Sequence, residues 1–69
     1  MTYLDERHFK TAMDSIVSAL REQGYDPYDQ LRGYIETRDP VYITRHRDAR
    51  NLIQTLDVED IAQYIRSLN

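Results

Sequence analysis

The chain has 69 residues, 41% apolar and 30% charged, a balance that belongs to a folded domain and excludes a disordered tail. Twelve acidic residues against nine Lys and Arg leave a formal charge of −3, which argues against a bulk cationic nucleic-acid binder. The absence of cysteine excludes disulfides and thiolate metal sites, and no stretch approaches the ~18 apolar residues of a membrane span or the core of a signal peptide.

The pattern is helical throughout. Phe9, Met13, Ile16, Val17 and Leu20 follow the spacing of one helix face, which predicts a first helix from Asp5 to Gln23. Gly24 is placed to end it, because glycine tolerates a positive φ. Asp26-Pro27 reads as N-cap plus first helical residue: the carboxylate accepts an orphan N–H, and proline has none to lose. Tyr28, Leu31, Tyr34 and Ile35 then form the stripe of a second helix ending near Thr37. Gly33 interrupts it at about 1 kcal/mol relative to alanine, so a close helix–helix contact is the expected compensation.

Asp39-Pro40 repeats the cap signal ahead of Val41-Tyr42-Ile43, a short turn or single helical turn. A strand there has no partner elsewhere in the chain. Thr44 reads as the N-cap of a third helix with Ala49, Leu52, Ile53 and Leu56 on its inner face. Asp57 caps a fourth, whose first turn carries Glu59 and Asp60 and whose inner face is Val58, Ile61, Ala62, Ile65 and Leu68. The expectation is one all-α domain over residues 1–69, a bundle of about four short helices.

A core of this size leaves a surplus over chain entropy of only about 3–5 kcal/mol. With disulfides excluded and the two histidines far apart, a second copy of the chain is the expected reinforcement. Six tyrosines and no tryptophan agree with a homodimer, since a tyrosine can bury its ring and keep its hydroxyl wet. Any one of them serves a monomer core equally well.

One local rule is broken. Helix N-termini disfavour cations, yet the third helix is expected to open with Arg45, His46 and Arg47, with Arg50 one turn on. Such a cluster suits a carboxylate or phosphate, because arginine offers planar paired donors. The competing reading pairs these arginines internally with Glu36, Asp39 or Asp48 as a structural ion-pair cluster. His8 reads as a surface residue of the first helix.

Enzyme signatures are absent. There is no G-x-S-x-G elbow and no glycine-rich phosphate loop, and the chain is too short to enclose a sizeable substrate pocket. His8 and His46 lack a carboxylate constellation, so neither a metal nor a cofactor is expected.

Two blocks carry a family resemblance. Gly24-Tyr25-Asp26-Pro27-Tyr28-Asp29-Gln30-Leu31-Arg32-Gly33-Tyr34-Ile35 resembles the G-Y-N-P-x-N-Q-[IL]-x-G-Y segment of the IreB (also ReoM) family. The run from Asp39 to Ile53 resembles that family's D-P-A-Y-I-x-R-H-x-D-A-R-x-x-I block, in the same order and at near-identical spacing. The resemblance implies a small helical homodimer of Gram-positive bacteria, a cytoplasmic regulator and not an enzyme. It implies action below a membrane Ser/Thr kinase that senses the cell wall. Control of peptidoglycan synthesis and β-lactam tolerance follow, in one branch through Clp-dependent proteolysis of a precursor enzyme.

The R-H-x-D-A-R signature falls on Arg45, His46, Asp48 and Arg50. The expected partner-binding residues are therefore Arg45, His46, Arg47 and Arg50, facing an acidic surface of a kinase, protease adaptor or cell-wall enzyme. The family's phosphorylated threonine lies in an earlier N-terminal segment. Thr2 is the nearest candidate for phosphorylation here, although it does not align with that site. The family's S-G ahead of D-P is Thr37-Arg38 in this chain, and the usual E-R-D-E start of the last helix is Asp57-Val58-Glu59-Asp60. The alternative function is a helix-turn-helix-like nucleic-acid module with the third helix reading the groove, against which the acidic total stands.

Overall fold

The computed structural model describes residues 3–68, with side chains over 8–67. The first helix, α1, spans Tyr3–Glu22 and buries Met13, Ile16, Ala19 and Leu20 completely. It closes as the glycine signal predicts. Gly24 takes φ +85°, its N–H reaches the Arg21 carbonyl at 2.9 Å, and the Tyr25 N–H reaches that of Leu20 at 2.9 Å. These two bonds satisfy carbonyls that a helix end otherwise leaves open.

The second helix, α2, runs Pro27–Thr37. The Asp26 carboxylate accepts the Tyr28 N–H at 2.9 Å, as expected of the cap, and Leu31 and Tyr34 are buried. The helix stops at Arg38, which adopts the left-handed region at φ +62°. Asp39 then caps a 3-10 turn over Pro40–Tyr42 by accepting the Val41 N–H, so the short segment is a single turn. Ile43 follows in extended conformation and is fully buried.

Gly33 needs its missing side chain, although not for the helix–helix contact expected. The Tyr42 ring fills the space, with Cδ1 and Cε1 each 2.6 Å from where a Cβ would stand. The Gln30 side-chain amide donates to the Tyr42 carbonyl at 2.7 Å and fastens the same turn to α2.

The third helix departs from expectation. A 3-10 turn occupies His46–Asp48, and α3 proper is only Ala49–Ile53. Arg47 at φ 55° and Asp48 at φ 62° are left-handed, which prevents a helix from running through from Thr44. The expected Thr44 bond does form, since its Oγ1 accepts the His46 N–H at 3.1 Å, but it opens a tight turn and no α-helix. Leu56, assigned to that helix, lies in the turn beyond it and still packs against the core.

The last helix, α4, spans Val58–Leu68, and Asp57 caps it by accepting the Glu59 N–H at 2.8 Å. Ile61 and Ile65 turn inward, as their spacing requires. Packing pairs α1 with α3 and α2 with α4, and the fully buried side chains of Met13, Ile16, Leu20, Leu31, Ile43, Ile53 and Ile61 meet between them. Phe9 and Tyr64 join α1 to α4 edge to face, with ring centroids 6.3 Å apart. The radius of gyration, 11.1 Å, equals the value of about 11 Å for one packed body of this length. The described residues form four α-helices and no strand.

Candidate functional site

The cationic residues sit on the segment from Arg45 to Arg50, which follows the buried Ile43 and runs into the first residues of the short α3. Ile43 anchors it from one side and Ala49, 1% exposed, from the other. The backbone between them turns through the two left-handed residues, Arg47 and Asp48. Left-handed conformation costs an L-residue roughly 1–2 kcal/mol, and neither position is a glycine. The Asp48 carboxylate accepts from the Asn51 side-chain amide at 2.9 Å, and the Asp48 N–H donates to the Arg45 carbonyl at 2.9 Å. Because Arg45, His46 and Arg47 lie in and before the 3-10 turn that precedes α3, they do not open an α-helix as the sequence implied. Their surroundings are those of a strained turn.

A carboxylate from another helix reaches this turn. Glu22, the last residue of α1, accepts from His46 Nε2 through Oε1 at 2.7 Å and from Arg47 Nη1 through Oε2 at 2.8 Å. The hydrogen bond from His46 holds the Glu22 carboxyl below its ordinary value of 4.5; partial desolvation opposes this, and the Arg47 charge adds to it. Neither Glu36, Asp39 nor Asp48 takes the role expected of an internal partner. Glu36 pairs with Arg32, and Asp39 caps its own turn. Glu22 was not among the residues marked by sequence. A signal for it existed: an acidic side chain in the last turn of a helix faces the negative end of the dipole.

The remaining two cations differ. Arg50 donates its Nε to the Ile43 carbonyl at 2.9 Å and is half-buried, whereas Arg45 is exposed. Among the described residues neither is in an ion pair with a carboxylate. The turn therefore divides into a half held by the Glu22 carboxylate, His46 and Arg47, and a half, Arg45 and Arg50, that meets no carboxylate of the described residues. His8 is exposed on α1, apart from this arrangement in the chain. Thr2 lies outside the described residues. No group of three or more His, Asp or Glu side chains among the described residues is placed to hold a metal ion. No helix among them is long and apolar enough to cross a membrane.

Fold and turn together define a class: a small all-helical protein distinguished by a cation-bearing turn pinned between two helices. The chain belongs to the IreB family, since the family model described as IreB regulatory phosphoprotein matches residues 1–67, essentially the whole sequence. A regulatory role follows, in keeping with the expectation of a protein that is not an enzyme.

Proposed function

We propose that the chain is a non-enzymatic cytoplasmic adaptor that works as a homodimer downstream of a membrane Ser/Thr kinase in the control of cell-wall synthesis. Regulated proteolysis of a peptidoglycan precursor enzyme is the output that the family likeness suggests. Arg45 and Arg50 are the contact residues, holding an acidic face of the protein partner, with His46 and Arg47 beside them. The supporting observation is that these two guanidinium groups pair with no carboxylate of the described residues. Guanidinium groups in that state favour carboxylate oxygens in paired geometry.

The nucleic-acid reading is weaker. A recognition helix must lie along a groove, and α3 has only five residues, about 7.5 Å of helix.

Affinity purification from the host tests the proposal, using the wild type and an Arg45→Ala/Arg50→Ala variant of equal melting temperature. The variant is expected to lose the partner. Equal recovery by both overturns the assignment of this surface. Sedimentation over a concentration range tests the homodimer, and a stable monomer at high concentration overturns it.

A further inference from the structure

We propose that Glu22 is an internal competitor for the partner: its carboxylate occupies His46 and Arg47 in the free protein and is displaced when an acidic segment binds. The inference rests on the reading of the turn given under Proposed function and deepens it. Two observations support it. Glu22 uses one oxygen for each of the two side chains, at 2.7 and 2.8 Å, so the pair is already arranged for a carboxylate. All three side chains are partly open to solvent, 48% for Glu22, 35% for His46 and 49% for Arg47, so water or another carboxylate can reach them. Exposed ion pairs are weak, and one can be exchanged for another at little expense.

The chemistry of the occupant follows from the group it replaces. An aspartate- or glutamate-rich peptide can place one carboxylate on His46 and Arg47 and a second on Arg45 or Arg50. The free protein thus presents Arg45 and Arg50, and the bound one uses His46 and Arg47 as well. The Glu22 contact sets a threshold, so an isolated carboxylate competes poorly and a segment with several acidic groups competes well.

Titration calorimetry with a hexaglutamate peptide at low salt tests this. Glu22→Gln is expected to bind about twofold to fivefold more tightly than the wild type, the worth of one exposed ion pair. Glu59→Gln makes the same change in net charge at the start of α4 and is expected to bind as the wild type does. Equal tightening by both variants reduces the effect to net charge and overturns the proposal, as does no tightening by Glu22→Gln.

A second measurement needs no variant. On adding the peptide to the wild type, the His46 ring and Arg47 guanidinium NMR signals should lose their coupling to Glu22; an intact Glu22 contact in the saturated complex overturns the competitor role. The two readings fail separately. Undiminished peptide binding by Arg45→Ala/Arg50→Ala defeats the assigned surface, whereas an unchanged Glu22→Gln affinity beside a weakened double variant defeats only the competitor.

Discussion

The Tyr42 ring occupies the volume that a side chain on Gly33 would need, with ring carbons 2.6 Å from the Cβ position. A glycine inside a helix is thereby explained by a side chain arriving from a turn nine residues further along. Gly33→Ala is expected to lower stability by about 1–2 kcal/mol, because overpacking outweighs the gain in helix propensity. Thermal unfolding followed by circular dichroism should show a fall of roughly 4–8 °C per kcal/mol in a domain of this size. In a Tyr42→Ala background the same change should become stabilising, and a destabilisation that persists there would place its cause elsewhere.

Arg38 ends α2 in the left-handed region at φ +62°, its N–H donating to the Tyr34 carbonyl at 2.6 Å. The family pattern has a glycine at this position. Arg38→Gly should raise stability by about 0.5–1 kcal/mol, the relief of left-handed strain less the entropy a glycine adds to the unfolded chain. The lost side-chain bond to the Ile35 carbonyl is exposed and weak. A variant that melts lower than the wild type would contradict this account of the helix end.

Asp57→Ala removes the cap of α4 and leaves the Glu59 N–H without its 2.8 Å acceptor. The expected loss is about 1 kcal/mol, with Asp57→Asn retaining most of the stability. Denaturant titration of the three proteins checks it, and the slopes should be unchanged because the folded core is the same.

Glu22 supplies the pH dependence. Its carboxyl titrates below the ordinary 4.5, chiefly because of the hydrogen bond from His46. A depressed folded-state value means that the contribution is fully present above 4.5 and is lost as pH falls through the folded value. Stability measured from pH 6 down to pH 3 should therefore decline more steeply for the wild type than for Glu22→Gln. Parallel declines would show that the bond to His46 adds nothing to folding.

Much of the fold was legible because its signals are local. Asp26, Asp39 and Asp57 each accept an N–H two residues on, and a cap depends on little beyond those residues. The inward stripes of α1 and α4 were equally readable, since 3.6-residue spacing alone brings Met13, Ile16 and Leu20, or Ile61 and Ile65, onto one face. The start of α3 was misread for the same reason. Ala49, Leu52, Ile53 and Leu56 keep helical spacing, but nothing in the residue type marks Arg47 as left-handed, and an aspartate at position 48 is a weak signal. A glycine would have marked them, and none is there.

The sequence by itself determined that the chain is helical, where most helices begin and end, most of the core with Ile43 the main omission, and that cations cluster between Arg45 and Arg50. Only the tertiary structure decided what those cations are worth. Glu22 lies 24 and 25 residues from His46 and Arg47, and no local pattern in the chain joins it to them. Packing α1 against α3 brings the end of one helix to the turn before the other, and that proximity places the Glu22 carboxylate on His46 and Arg47 while Arg45 and Arg50 meet no carboxylate of the described residues. Charge along a chain is a local property, whereas its neutralisation depends on distances that exist only after the core has closed.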